Sequence, residues 1–317
     1  METETLREAI LYFRDRDIAR QFVADLRWPN GVTCPHCDAD APMFLASRKI
    51  WKCRDCRKQF SVKVGTIFED SPLGLEKWLP ALWMLANCKN GISSYELARD
   101  LGVTQKTAWF MLSRIRLAMQ TKSFKKLKGT VEADESFIGG KAGNMHHKKR
   151  QRGIGQTNMV GVMGLLERKR GRNHSTVRLD VIPTTKAKEL EKRIRANVEP
   201  GSEVFTDAFP SYRSLARKAF GDDYNHAAID HAISYGDGAV HTNGLENFWS
   251  LLKRSIKGTY ISVDPFHLFR YLDEQAYRFN HREVKDLDRF VGVVRAIVNK
   301  RLTYSDLISA DMVPTTT

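Results

Sequence analysis

No apolar stretch in this 317-residue chain approaches the roughly 20 residues that a membrane-spanning helix requires. A helical membrane protein is therefore excluded, and no membrane partner is expected. The opening residues METETLREAI are acidic and lack an apolar core, so they do not read as a secretory signal. No internal repeat is present, which sets aside solenoids and propellers. Cysteine is scarce, at five, and nothing points to an oxidising compartment, so a disulfide framework is not expected. Acidic residues are outnumbered: 37 Asp and Glu stand against 51 Lys and Arg, a formal net charge of +14. The first reading is a cytoplasmic protein with a polyanionic partner, nucleic acid ahead of an enzyme with a merely basic surface. Hydrophobic residues make up 42% of the chain, enough for packed cores, and the length suggests roughly two or three domains.

Four of the cysteines form two pairs, Cys34-Pro35-His36-Cys37 and Cys53-Arg54-Asp55-Cys56, with 15 residues between them. Each Cys-x-x-Cys knuckle aims two thiolates at one point, and this spacing is that of a structural Zn²⁺ site. Disulfides or redox pairs would need an oxidising compartment or a βαβ setting, and neither is indicated. Cys34, Cys37, Cys53 and Cys56 would complete a tetrahedron around one Zn²⁺, leaving no position for a substrate and no need of His36. Trp51 and Phe60 flank the second knuckle in β-prone stretches at 49–52 and 59–64, the pattern of a zinc ribbon. Cys88, on an apolar helix, reads as a small buried residue.

Residues 1–28 read as one amphipathic helix, with Ile10, Phe13, Ile18, Phe22 and Leu26 near helical spacing, broken at Trp28-Pro29-Asn30-Gly31. From residue 71 to about 119 the pattern is helical again. Ser93 with Glu96 forms a capping box, Leu97, Ala98 and Leu101 make one apolar face, Gly102 supplies a turn, and Thr104 caps a second helix. This is a helix-turn-helix arrangement; an ordinary helical hairpin is the alternative. Gln105, Lys106 and Thr107 would open the recognition helix and reach base edges. Residues 103–131, which include Arg114 and Arg116, hold seven Lys or Arg and no acid, extending the expected DNA surface.

After Lys128 the texture becomes α/β. Strands are expected at 130–136, 159–167, 176–182, 203–207 and 226–229, and helices at 185–197, 209–220 and 243–257. This order resembles an RNase H-like layout. Two basic loops interrupt it: residues 141–152, with Lys148, Lys149, Arg150 and Arg152, and the turn 168–172. Both could touch phosphates or be simply solvated. Domain boundaries are drawn as an N-terminal helix (1–28), the ribbon (29–70), the helix-turn-helix region (71–122), the α/β domain (123–260) and a C-terminal helical segment (261–317).

Within the first α/β strand, Glu132 and Asp134 share one face, and Val131, Ala133, Glu135 and Phe137 the other. Asp207 ends a short apolar strand, a frequent active-site placement in open sheets. On the helix from residue 243, Leu245, Phe248, Trp249, Leu252 and Ile256 form an apolar stripe. Asn243, Glu246, Ser250, Lys253 and Lys257 form a polar flank on which Glu246 and Lys253 lie about 10 Å apart. That separation is too long for a tight pair and suits one group on metal and the other on phosphate. Each acid alone would as readily be a cap or a surface charge.

The order Asp134, Asp207, Glu246, then Lys253 seven residues on, resembles the DDE-type insertion-sequence transposases, and 39 positions separate the second and third acids. The ribbon, the segment Asp134-Glu135-Ser136-Phe137-Ile138-Gly139-Gly140-Lys141 and the segment from His241-Thr242-Asn243 to Lys253-Arg254 resemble the ISXO-like group of those enzymes. Some members carry Asn in place of the third acid, and Asn243 and Asn247 stand beside Glu246.

The resemblance implies a multidomain protein: a zinc ribbon, a helical helix-turn-helix region, and an RNase H-like catalytic domain. It implies Asp134, Asp207 and Glu246 as ligands of two Mg²⁺ (or Mn²⁺) ions about 4 Å apart. Lys253 would hold an end phosphate, Arg254 and Lys257 would extend that contact, and His241 and Asn243 would be accessory. It implies terminal inverted repeats and target DNA as partners, at least a homodimer during synapsis, and a prokaryotic, nucleoid-associated cytoplasmic location. A domesticated, non-catalytic DNA-binding regulator is the alternative, and a nuclease that cuts without joining is a third reading.

Overall fold

A computed structural model describes residues 4–120, 125–140, 158–168, 174–207, 209–212, 223–229 and 240–309. The chain forms two compact units, Met1–Gln120 with Val284–Thr317, and Thr121–Glu283. The expected C-terminal segment is therefore not one piece: its first part belongs to the second unit and its remainder returns to the first.

The first unit opens on two helices, α1 (Leu6–Phe13) and α2 (Arg16–Arg27), rather than the single one expected. The cause is Asp15, whose carboxylate accepts the N–H of Asp17 at 2.8 Å and of Ile18 at 3.1 Å and so starts a new helix. The restart shifts the buried face. Ala9 and Phe13 are inside on α1, and Ala19, Val23 and Ala24 on α2, while Ile10 and Ile18 stay 44% and 40% exposed. The ribbon follows as an antiparallel sheet of β1 (Met43–Leu45), β2 (Ile50–Lys52) and β3 (Gln59–Phe60). Trp28, Phe44 and Phe60 pack around Trp51, giving this small sheet an aromatic centre.

Helix α3 (Leu75–Asn87) is buried along most of its length and ends at Cys88, which is half-buried. Helices α4 (Ser94–Leu101) and α5 (Gln105–Met119) meet at Gly102, which takes the left-handed conformation at φ 59° that favours glycine. The expected capping box forms in full: Glu96 N–H donates to Ser93 Oγ and Ser93 N–H to Glu96 Oε2. The unit is closed by residues far along the chain. In the returning helix at Asp286–Arg295, Phe290 stacks on Phe22 and packs on Phe13 and Trp83.

The second unit is built on five strands, β4 (Thr130–Gly140), β5 (Asn158–Glu167), β6 (Thr176–Ile182), β7 (Glu203–Asp207) and β8 (Asn225–Ile229), in the order β6-β5-β4-β7-β8. The β4, β5 and β6 pairings are antiparallel, and β7 and β8 add on parallel to β4. This is an RNase H-like sheet. One face packs Val131, Ala133, Met163 and Leu165 on α6 (Ala187–Asn197) through Leu190 and Ile194. The other packs Val162, Leu166 and Val177 on α7 (Asn243–Ser255) and α8 (Leu268–Asn280). The alternation expected along β4 decides which residue faces which helix. Residues 209–212 are described, but the remainder of the helix expected at 209–220 lies outside the described residues.

At the β6 edge, the Asn280 amide accepts the Val177 N–H at 2.7 Å and donates to the Val177 carbonyl at 3.0 Å, acting as a short surrogate strand. Among the described residues, no helix is long and apolar enough to cross a membrane.

The helix α7 lies close on β5 because residue 164 has no side chain. A Cβ there would stand 2.7 Å from Trp249 Cζ2 and 2.9 Å from Leu245 Cδ2. Gly164→Ala is expected to cost about 1–3 kcal/mol by overpacking, read from the urea midpoint at unchanged slope.

Candidate functional site

Sheet register sets two of the acids side by side. Ala133 of β4 pairs with Thr206 of β7, and the next residues in the two strands are Asp134 and Asp207. On the other flank of β4, Asp134 lies opposite Gly164, the position over which Trp249 packs. The Trp249 indole N–H donates to Asp134 Oδ2 at 2.9 Å, and the Glu135 backbone N–H donates to Oδ1 at 2.8 Å. Asp207 accepts the backbone N–H of Phe209 at 3.1 Å, which shapes the turn leaving β7.

Glu246 is exposed in the first turn of α7, and the Thr242 hydroxyl lies 3.4 Å from its Oε1. Burial raises the Asp134 carboxyl to about 6, against the pull of the Trp249 hydrogen bond, and the negative charges of Asp207 and Glu246 add to the rise. The charges of Asp207 and Glu246 thus reach the partly desolvated Asp134, although among the described residues only the four ribbon cysteines gather their ligand atoms closely enough to hold a metal.

Further residues surround them. Glu135, on the opposite face of β4, accepts a hydrogen bond from the buried hydroxyl of Tyr212, and burial raises its carboxyl to about 8. Glu132 is buried and pairs with Arg168 at 2.6 Å. Arg168 also reaches the His241 carbonyl and ring, so it is tied inside, while the rest of the basic turn 168–172 lies outside the described residues. Trp249, expected only as an apolar anchor, is also a donor to Asp134. The same-face pairing of Glu132 with Asp134 was a usable signal for Glu132; nothing in the sequence linked Glu135 to Tyr212.

On α7, Asn243, Lys253, Arg254 and Lys257 are exposed on or just beyond the helix, while Leu245, Phe248, Trp249 and Leu252 are buried. His241 is half-buried beside Glu132, at 3.6 Å. The other candidate DNA contacts divide. Lys106 is exposed and lies over the Tyr304 ring at 4.7 Å. Gln105 donates to Ser94 Oγ at 2.8 Å, and the Thr107 N–H donates to Thr104 Oγ1 at 3.2 Å, so both are half-spent on holding the turn. Lys148, Lys149, Arg150 and Arg152 lie outside the described residues.

Arg114 and Arg116 are corrections: both are buried, so neither faces DNA. The third and fourth turns of α5 are enclosed on all sides, and a basic residue there must find partners inside. Arg114 donates to the carbonyls of Leu302, Ile67 and Glu69 at 3.0, 3.1 and 2.8 Å. Arg114→Ala is expected to destabilise the protein by roughly 3 kcal/mol by stranding carbonyls. Urea unfolding reads that loss.

The four thiols gather at one point. Their sulfurs all lie within 4.8 Å of one another, with Cys34–Cys56 and Cys37–Cys53 each at 3.6 Å. The N–H of Cys56 hydrogen-bonds Cys53 and lowers its thiol to about 7, while the Cys37 thiol, against the pull of the Ala39 N–H, is pushed up to about 12 by the neighbouring cysteine sulfurs and burial. Soft, closely spaced sulfurs with no fifth donor suit a structural Zn²⁺. Cys53→Ser is expected to lose the single bound zinc, measured by metal analysis, and to weaken the near-ultraviolet signal of Trp28 and Trp51.

Comparisons with known proteins agree with this architecture. Residues 126–280 match the ISXO2-like transposase domain, and residues 15–59 match the transposase zinc-ribbon domain. An uncharacterized protein in transposable element ISH50 of Halobacterium salinarum is 29% identical, across 74% of this chain and 81% of its own length. An uncharacterized transposase-like protein of Haemophilus influenzae is 33% identical, across 33% of this chain and 81% of its own length. A solved simian T-cell lymphotropic virus intasome, in complex with PP2A regulatory subunit B56 gamma, aligns at 13% identity. It covers 64% of this chain and 69% of that one, and its TM-score of 0.31 is too low to bear on function. With both domain models matched in order, on a ribbon and an RNase H-like sheet, the chain belongs to the ISXO2-like transposase family.

Proposed function

We propose that this protein is an active DDE transposase, which binds the terminal inverted repeats of an insertion sequence and cuts and joins DNA at Asp134, Asp207 and Glu246. The observation that carries this is the strand register that sets Asp134 and Asp207 at neighbouring positions of β4 and β7, with the charge of Glu246 reaching the partly buried Asp134. Three hard oxygen donors fit Mg²⁺ or Mn²⁺, and a bound cation would relieve the cost of keeping Asp134 ionised. Two such ions, when bound, would activate an oxygen nucleophile and stabilise the leaving oxygen.

The chain's own residues do the positioning. Trp249 holds Asp134 through its indole N–H, which leaves Oδ1 and the outer edge of the carboxylate directed by β4. Asp207 is braced by the Phe209 N–H. Lys253, two turns beyond Glu246 on the exposed flank of α7, would hold a phosphate of the element's end, with Arg254 and Lys257 extending the contact. Asn243 and His241 border the same first turn. In the first step water attacks the phosphodiester at the element's end and a 3′-hydroxyl leaves. In the second, that hydroxyl attacks a target phosphodiester and a new bond replaces the old one. The helix-turn-helix, through Lys106 and its neighbours, would recognise the repeats.

The reaction joins two ends, so it needs at least a dimer, and it belongs to the cytoplasm at the nucleoid. The alternative, a domesticated DNA-binding regulator, predicts end binding without chemistry. Asp134→Ala, Asp207→Ala and Glu246→Ala are each expected to reduce strand transfer at least about 1000-fold while end binding stays within about twofold. Gel-resolved strand transfer with Mg²⁺, with Ca²⁺ as the inactive comparison, checks this. Full transfer by Asp207→Ala would sink the proposal.

A further inference from the structure

The helix that carries Glu246 lacks its expected local cap. Thr242 stands at the N-cap position of α7, a residue type that usually bonds the helix's first N–H groups, but it makes no side-chain cap bond. Its hydroxyl lies toward the Glu246 carboxylate instead. The buried first-turn N–H of Leu245 donates to Glu132 Oε2 at 2.8 Å, a carboxylate on β4 that is 113 residues away in the chain.

Glu132 is only 1% exposed, and both of its oxygens are occupied. Oε2 takes the Leu245 N–H, and Oε1 takes Arg168 Nε at 2.6 Å. Arg168 then bonds the carbonyl of His241, the residue just before the N-cap. Gly244 completes the fit, because a Cβ there would come within 2.8 Å of Glu132 Oε2. A buried carboxylate without partners would be costly, and this one is satisfied by the first turn of α7 and by Arg168. Its oxygens are spent, so it is not a further metal ligand.

The consequence lies in the strand. Glu132 and Asp134 are alternate residues on one face of β4, and each grips α7: Glu132 at the Leu245 N–H, Asp134 at the Trp249 indole. Two fixed points on one rigid strand set both the height and the rotation of the helix between them. Glu246 sits within that interval. We infer that Glu132, locked by Arg168, is a positioning residue that fixes Glu246 in register with Asp134 for cation binding. This rests on the reading of Glu246 as a metal ligand.

The test is Mn²⁺ binding to the zinc-loaded, full-length protein, followed by the electron paramagnetic resonance of free Mn²⁺, with thermal melting alongside. Glu132→Gln keeps the shape but presents an NH₂ where a donor already points. Gly244→Ala pushes the carboxylate aside without altering either partner. Each is expected to weaken Mn²⁺ binding about tenfold, as loss of a supporting hydrogen bond around a metal site commonly does. Glu246→Gln should weaken it as well, and Glu132→Gln combined with Glu246→Gln should bind no worse than Glu246→Gln alone.

A residue that only stabilised the fold would instead add its full effect to the double variant. Such additivity, or wild-type Mn²⁺ binding in folded Glu132→Gln and Gly244→Ala, overturns the inference. If Glu132→Gln does not fold, Gly244→Ala carries the test. Normal Mn²⁺ binding by Glu246→Gln would instead remove Glu246 from the metal site, a failure of the functional reading that is separable from failure of the positioning role.

Discussion

The close approach of the helix at Asn243–Ser255 to the middle of the sheet is the constraint on which the second unit depends. It exists because residue 164 is glycine, and it lets an indole ring lie over the strand next to Asp134. Apolar packing supplies the attraction: Leu245, Phe248, Trp249 and Leu252 are buried on one side of the helix. That packing does not choose a rotation or a height. The polar bonds at Glu132 and Asp134 do, since a hydrogen bond fails with a displacement of less than an ångström or so. The site therefore stands on a layered arrangement in which greasy contact provides adhesion and buried polar contact provides alignment.

The exposed flank of the same helix follows from this. Once Leu245, Phe248, Trp249 and Leu252 are committed inward, the 3.6-residue period turns Glu246 and Lys253 outward together. A single packing decision on one face determines which charges share the other. The first unit obeys the same logic with a different outcome. The last turns of its central helix α5 are largely enclosed, so Arg114 and Arg116 are drawn inside, and Arg114 becomes a strut between loops.

How much of this could be read in the sequence follows the range of the interactions. The strands 176–182 and 203–207, the caps at Ser93 and Thr104, and the inward stripe of α7 rest on period, capping and turn chemistry within a few residues, and all are legible. The zinc ribbon is legible for the same reason. The failures are of two kinds. A local one is Asp15, whose capping carboxylate competes with an apolar pattern that could have run on as one helix. The others are distant: the return of Phe290 to Phe13 and Phe22, the internal fate of Arg114, and the bond between Glu132 and Leu245 all join residues whose separation leaves no periodic trace. At the site, Asp134, Asp207 and Glu246 are candidates through the family resemblance of their order, and of the groups around them Glu132 left a trace in the alternation of β4 while Tyr212 left none.

The division of the chain has a consequence for how it is made. The first unit consists of Met1–Gln120 and Val284–Thr317, with the whole second unit inserted between them. Phe290, Val293 and Val294 are buried in that first unit, so its core cannot close while they are still inside the ribosome. During synthesis the ribbon and helix-turn-helix emerge first, yet they must wait with an open apolar face until the second unit has been completed. The order of translation thus delays the putting together of the N-terminal unit to the end of the chain, and a truncated product of an interrupted message would lack that unit's closing helix.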